Sequence, residues 1–376
     1  MDDEFSCYLS AKTLTKYLRD KKLMKDENDE VRSHIRKASF SKWSRASKTN
    51  MEAKFLKHEV IFYRALSSWI TPGYVSIPMV IDSSYFEMTE LVMNGMIMED
   101  VSSEVDKPIF VDHQLRWDIE VMSLVKSLAE FHSYSIGMSL DSRKMPWMTQ
   151  CTDKWYVDWV NTKMRSIELI TKWVTQHKSV FDTAQIHFFK RIDTTLVTSL
   201  IRDHLHPLLS KLNMRCLIHG DSFISNFMIP KEITNGKLSK QSPFAEHISD
   251  LIKNRCLLID WQTYLIGSPM FDLVSLFDGL IIEPGSKEEC HLFCAYLDFL
   301  KRFGAKTYIT AETMKDYVKQ FEICRIIAFV VESGLWSHYI LVEDADNEGE
   351  YGVITKKAQA YLQKRVNHMQ KCFQLL

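Results

Sequence analysis

Residues 216–229, CLIHGDSFISNFMI, and residues 256–276, CLLIDWQTYLIGSPMFDLVSL, carry the reading that decides the fold. Each opens on a short apolar run, Cys216-Leu217-Ile218 in the first and Cys256-Leu257-Leu258-Ile259 in the second. Apolar runs this short, bounded by polar residues, read as buried strands. The first strand ends in His219-Gly220-Asp221 and the second in Asp260, so each delivers a carboxylate at its end. Asn226 follows Asp221 by five positions, a loop short enough for Asp221 to face one way while the Asn226 amide turns back. Singly, these fragments also read as structural: HGD as a turn, Asp260 as a turn or helix-cap residue. Jointly they supply what γ-phosphoryl transfer needs. One carboxylate orients a hydroxyl and accepts its proton, and two oxygen donors hold Mg²⁺, a cation that prefers oxygen ligands.

Outward from this pair of segments the chain changes character several times. Residues 1–50 are polar and charge-dense, with Lys and Arg heavy between 32 and 48, and strand-like alternation there is weak. Residues 51–69 place Phe55, Leu56, Val60, Phe62, Tyr63 and Leu66 at helical spacing, and Thr71-Pro72-Gly73 ends that helix. Two extended runs follow, YVSIPMVID (74–82) and FEMTELVMNGMIMED (86–100), with a turn expected at Asp82-Ser83-Ser84. Asn94-Gly95 inside the second reads as a tight hairpin turn. A long amphipathic helix, HQLRWDIEVMSLVKSLAEFHSYS (113–135), is expected to end before Gly137, and residues 153–213 are largely helical. Residues 231–254 read as a polar surface insertion. The chain beyond 272 reads as helices interrupted by an acidic loop at 343–350. The expected divisions are a divergent N-terminal segment (1–50), the remainder of a small lobe (51–105) and a helical lobe (106–376).

The bulk properties narrow the function. The 376 residues are enough for two lobes, each with its own core. A formal net charge of −1 argues against nucleic-acid binding through a basic face. No run reaches the roughly 18–20 consecutive apolar residues that span a bilayer, and MDDEFSCYLS lacks the basic and apolar regions of a secretory signal. The eight cysteines are scattered, several within apolar runs, which reads as reduced thiols in a cytoplasmic protein rather than a disulfide framework. Cys290-His291-x-x-Cys294 falls in an expected helix with no second ligand pair nearby, so it reads as helix packing and not as a zinc site.

The two segments resemble the ecdysteroid-kinase-like (CHK-kinase-like) family of the aminoglycoside phosphotransferase and choline kinase superfamily. The pattern is a hydrophobic strand, HGD, Asn five residues on, I-D-[FW]-Q, a proline and D-L. Residues 59–63 resemble that family's E-x-x-F-Y helix, residues 98–100 the end of its hinge strand, and residues 127–133 its L-A-x-F-H-A helix. The resemblance covers about residues 52–340. It implies an α+β, protein-kinase-like two-lobed fold with a reduced or divergent N-terminal lobe and a mainly helical C-terminal lobe. It implies ATP and Mg²⁺ as cofactors and a small-molecule acceptor. Asp221 would be the catalytic base, and Asn226 and Asp260 the Mg²⁺ ligands. His219 would brace the loop. Asp272 would hydrogen-bond the catalytic-loop backbone, or else cap the following helix. Glu59 and Glu99 would serve the nucleotide. HGD in place of HRD, IDWQ in place of DFG, and no following A-P-E separate the chain from protein kinases.

The N-terminal region departs from the family pattern. No glycine precedes Gly73, so no Gly-rich loop can cover the phosphates. No lysine sits in an evident apolar strand; Lys37 is the best placed for the phosphates, with Lys42 and Lys54 behind it. Two readings stand side by side: a kinase acting on a steroid-like, choline-like or xenobiotic hydroxyl, and an inactive kinase-fold protein that binds a ligand or partner. Trp147, Trp155, Tyr156, Trp159 and Trp336 read either as walls of an acceptor cleft, where they suit a sterol face or a quaternary ammonium, or as helix packing.

Overall fold

The computed structural model describes residues 34–42, 58–59, 61–62, 80–88, 91–99, 105–106, 115–136, 149–176, 182–230, 233, 256–305, 309–334, 336–337 and 350–373. The chain divides into two compact units, residues 1–106 with 228–263, and residues 107–227 with 264–376.

The first unit is built on strands. β1 (His34–Lys42), β2 (Val80–Met88) and β3 (Leu91–Glu99) form an antiparallel sheet in the order β1-β3-β2. Three sequence expectations are corrected here. The segment with weak alternation contains a nine-residue strand, β1, in full register with β3 from His34↔Glu99 to Lys42↔Leu91. Strand propensity mostly reflects fit to neighbours, so a mixed sequence such as HIRKASFSK is recruited by its partner rather than by its own pattern. Asn94-Gly95 is not a hairpin turn but lies inside β3, opposite Ser39 and Ala38 of β1 and Tyr85 and Ser84 of β2. Asp82-Ser83-Ser84 is not a turn either; it lies within β2, just after a register shift between Val80 and Asp82. Because Met88 pairs with Leu91, the chain reverses between those two residues. The NG and DSS signals were outweighed by pairing along both edges of the middle strand.

A smaller sheet in the same unit has the order β4-β6-β7, from β4 (Val105–Asp106), β6 (Phe227–Pro230) and β7 (Leu257–Leu258). Met228 is buried there against Leu257 and Ile259. His58, Glu59, Ile61 and Phe62 are helical, as their spacing predicts. Lys54, Trp147 and the acidic loop at 343–349 lie outside the described residues, as does the 231–254 insertion apart from Ile233.

The second unit is mainly helical. A short π-helical turn, Trp117–Val121, leads into α1 (Met122–Ser135), which buries Leu124, Val125, Leu128, Ala129 and Phe131 along one stripe. Next come α2 (Lys154–Thr162), α3 (Met164–Gln176), α4 (Thr183–Arg191), α5 (Thr194–Ser199) and α6 (His206–Lys211). Asp182 and Gln185 form a capping box at the start of α4, and Asp193 caps α5. β5 (Cys216–Ile218) pairs antiparallel with β8 (Leu265–Gly267). Ser268 and Pro269 then start α7 (Pro269–Gly279), with the Ser268 hydroxyl accepting from the Met270 N–H. The helix cap is therefore Ser268 and not Asp272. α8 (Lys287–Arg302), α9 (Ala311–Val331) and α10 (Glu350–Phe373) complete the unit. No helix among the described residues is long and apolar enough to cross a membrane. The seven described cysteines are free.

Buried charges tie α7, α9 and α10 together. Arg365 is fully buried, paired with Asp278 at 2.7 Å and with Glu332 at 3.2 Å. Tyr361 donates to Asp278 and Ser275 to Glu332. Burial raises both the Asp278 and the Glu332 carboxyls above the usual range, because one guanidinium cannot neutralise two carboxylates withdrawn from water. Trp336, considered above as a cleft wall, is fully buried beside Arg365 and Tyr361. Tyr156 and Trp159 are likewise buried, at 3% and 7% exposure. Helix packing is the reading that holds for these three.

Candidate active site

The loop after β5 is fixed by one carboxylate from α7. Asp272 is completely buried. Its Oδ2 accepts from the His219 N–H at 2.7 Å and its Oδ1 from the Gly220 N–H at 2.9 Å. The same Oδ2 lies 3.0 Å from His132 Nε2 on α1, and His132 Nδ1 lies 2.7 Å from the Tyr296 hydroxyl on α8. A carboxylate only accepts, so the network is satisfied when Nε2–H donates to Asp272 and Nδ1 accepts from Tyr296. Burial, reinforced by Cys216 and Asp272, holds the Tyr296 phenol protonated well above its ordinary pKa, keeping it a donor. Ser222 adds a further tie by donating to the Asp272 carbonyl at 2.7 Å.

The loop's own residues complete the frame. Gly220 has φ +79°, a left-handed conformation that glycine adopts without the Cβ penalty, so the middle residue of His219-Gly220-Asp221 is set by the backbone. His219 Nδ1 accepts from the Asp221 N–H at 3.3 Å. Asn226 sits in a short 3₁₀ turn, Ile224–Asn226, and its Nδ2 donates to the Asp221 carbonyl at 2.7 Å. Because that carbonyl only accepts, the atom facing it is the amide nitrogen, and Oδ1 is the amide's acceptor. On the other side, Ser135 at the end of α1 accepts from the Leu217 N–H at 2.9 Å, locking β5 to that helix. His219, Asp221, Asn226 and Asp272 are thus brought together within one unit.

The remaining sequence-selected residues belong to the strand-bearing unit. Asp260 follows β7 with φ +68°, a conformation that residues other than glycine adopt uncommonly. The turn is held by its neighbour: Trp261 is fully buried, stacks on Phe62 at 4.0 Å with a 6° interplanar angle, and donates its indole N–H to the Leu258 carbonyl. Glu59 is 1% exposed on the same short helical stretch as Phe62. Lys37 stands in the middle of β1 opposite Met96, and Glu99 ends β3 opposite His34.

The family profile described as ecdysteroid kinase-like matches residues 13–306. The chain is a member of the ecdysteroid kinase-like family. Members of that family are small-molecule kinases. No curated protein sequence matches it. Among solved structures, it is similar to the amicoumacin kinase hAmiN in complex with AMP-PNP, Ca²⁺ and Ami, at 10% identity and TM-score 0.44, over 91% of this chain and 85% of that one. It is similar to a Plasmodium vivax ethanolamine kinase at 12% identity and TM-score 0.42, over 95% and 90% of the two chains. It is similar to the choline kinase LicA from Streptococcus pneumoniae at 13% identity and TM-score 0.37, over 95% and 98%. The family profile, not these distant likenesses, places the chain.

Three residues packed around this loop escaped the sequence reading. His132 holds Asp272 from α1 and is itself held by Tyr296 from α8, and only the F-H pair at 131–132 within the L-A-x-F-H-like segment hinted at one of them. Gly279 is the other finding. A Cβ built on it would lie 2.7 Å from the Ile224 backbone nitrogen and 3.0 Å from the Ile224 Cβ, so α7 touches the catalytic-loop turn through a bare backbone. Gly279→Ala would gain helix propensity of about 1 kcal/mol if the site were open. Here overpacking should dominate, and the expected result is a net loss of about 1–3 kcal/mol. Thermal denaturation checks the sign; an increase in Tm would show that the loop yields freely.

Proposed function

We propose that this ecdysteroid-kinase-like chain transfers the γ-phosphoryl group of ATP, with Mg²⁺, to a hydroxyl of a small molecule. The observation that carries this reading is the buried clamp of Asp272 on the His219 and Gly220 amides. Such a clamp fixes the backbone that presents Asp221, a half-buried residue. In this reading Asp221 orients the acceptor hydroxyl and takes its proton as the new O–P bond forms.

The donor chemistry suits magnesium. Asn226 presents an oxygen because its nitrogen is engaged with the Asp221 carbonyl, and Asp260 contributes a carboxylate. One amide oxygen and one carboxylate match a cation that takes oxygen ligands and keeps several waters. Bound Mg²⁺ would neutralise charge on the phosphates. We assign Lys37 to the phosphates, Glu59 to holding that lysine, and Glu99 to the nucleotide. The deep burial of Glu59 suits a carboxylate that holds a cation rather than one left in water. The acceptor is assigned only as a hydroxyl-bearing small molecule, in the steroid-like, choline-like or xenobiotic range, and the cytoplasm as its compartment.

Nucleotide binding separates this reading from an inactive kinase-fold protein. ATP with Mg²⁺ should raise the melting temperature, with a stabilisation of about 2.7 kcal/mol at a hundredfold excess over Kd. No shift at millimolar nucleotide would favour the inactive relative.

A further inference from the structure

Far along the chain from the catalytic loop, three side chains with soft and hard donor atoms converge within the helical unit. Glu322 lies on α9, and His368 and Cys372 lie one turn apart on the last two turns of α10. Their donor atoms all fall within 4.8 Å of one another. Glu322 Oε1 is 3.1 Å from His368 Nε2, and Cys372 Sγ is 3.3 Å from the same nitrogen. These separations resemble the edges of a tetrahedron around zinc. With metal–ligand bonds of about 2.0–2.1 Å to N and O and about 2.3 Å to S, neighbouring donors stand roughly 3.3–3.6 Å apart.

The surroundings hold each donor in place. Arg325 Nε donates to Glu322 Oε2 at 3.0 Å, so the carboxylate turns its other oxygen, Oε1, toward His368. The guanidinium is itself balanced by Glu289, with Arg325 Nη2 to Glu289 Oε1 at 2.6 Å. Glu289 is fixed in turn by the Gly285 N–H at 2.7 Å. Two carboxylates, Glu322 and Glu289, thus share one guanidinium. Gly285 packs beside the imidazole on its Nδ1 edge: a Cβ built there would stand 3.0 Å from Nδ1. Ligating carboxylates held from behind by a second group are the usual arrangement in metal centres.

We propose that Glu322 Oε1, His368 Nε2 and Cys372 Sγ form a three-ligand site for a borderline-soft divalent ion of the zinc class, with a fourth position left to water or an exogenous ligand. A mixed carboxylate, imidazole and thiolate set selects Zn²⁺ or Co²⁺ over Mg²⁺ and Ca²⁺, which take oxygen. On binding, the thiol releases its proton to solvent, and the imidazole, whose Nε2–H donates to Glu322 in the metal-free protein, gives up that proton and keeps its ring proton on Nδ1, so that Nε2 offers its lone pair. The ion would join the C-terminal helix to α9 and stabilise the folded state by mass action. This site is independent of phosphotransfer. It also differs from Cys290-His291-x-x-Cys294, whose three side chains are exposed on α8.

The test uses the full chain, freed of metal with a chelator and titrated with Co²⁺. One equivalent should produce a thiolate-to-cobalt charge-transfer band and strong visible d–d bands, both bleached by Zn²⁺. Cys372→Ser and His368→Gln should lose the bands, whereas the Cys290→Ser/Cys294→Ser double variant should keep them. Should either single variant fold poorly, X-ray absorption on the zinc-loaded wild type decides: one sulfur at about 2.3 Å with nitrogen and oxygen donors is expected. Absence of saturable binding, a shell with no sulfur or with two, or bands that depend on Cys290 and Cys294 would overturn the proposal.

Discussion

Replacing Asp221 with alanine is expected to lower turnover by about 10²–10⁴-fold, the range that a positioned general base contributes, while ATP binds as before. Two of the contacts that shape the loop around this residue involve its main chain. The Asp221 N–H donates to His219 and its carbonyl accepts from Asn226. Alanine preserves both of these main-chain contacts while removing the carboxylate. Turnover can be read as ADP release with a hydroxyl acceptor or, more slowly, with water. The expected signature is a fall in kcat at constant nucleotide affinity, because an interaction made in the transition state has been lost. An unchanged kcat would remove Asp221 from the chemical step.

The larger structural effect is expected at Asp272. Asp272→Asn keeps the shape of the side chain but replaces one acceptor oxygen with an NH₂ donor. The residue faces three donors, the His219 and Gly220 amides and His132 Nε2, with both carboxylate oxygens in use. Whichever way the amide turns, an N–H is set against an N–H in a site with no exposure to solvent. Breaking a buried charged network on one side typically costs about 3–5 kcal/mol. In a body of this size that corresponds to a fall in Tm on the order of 10 °C. Activity should fall with it even below the new melting temperature, because the clamp on Gly220 positions Asp221. Thermal denaturation and turnover of the purified variant check both parts. A Tm unchanged within a degree or two, about the shift expected for a surface substitution, would mean that the clamp contributes little.

The site was more legible in the sequence than the sheet. HGD, the Asn at the right offset and Asp272 in P-x-x-D-L could be picked out because their spacing is dictated locally: a tight glycine turn, a 3₁₀ turn, and one helical turn after a proline. His132 and Tyr296 could not be assigned roles, because their meeting with Asp272 is tertiary and leaves no periodic trace. The same holds for Arg365, whose partners Asp278 and Glu332 lie on other helices. The long helices were plain from apolar spacing, while the caps at Ser286 and Thr310 emerge only from the structure. β1 was obscured by its basic composition, and β2 and β3 were misread at Asp82-Ser83-Ser84 and Asn94-Gly95. Local turn propensity there is worth less than ladder pairing along both edges of β3. The aromatic residues had two readings, acceptor wall or helix packing, and burial decides for packing at Tyr156, Trp159 and Trp336. Glu322, His368 and Cys372 were invisible as a group, since only the i, i+4 pair on α10 is local.

The most direct test is the magnesium dependence of ATP affinity, measured on the wild type beside Asn226→Ala and Asp260→Ala. The wild type should bind ATP more tightly with Mg²⁺ than with a chelator present, and each variant should lose most of that difference while still binding ATP without metal. Equal affinity with and without Mg²⁺ in the wild type, or a magnesium effect that survives both substitutions, would contradict the assignment of these two oxygen donors to the nucleotide's cation.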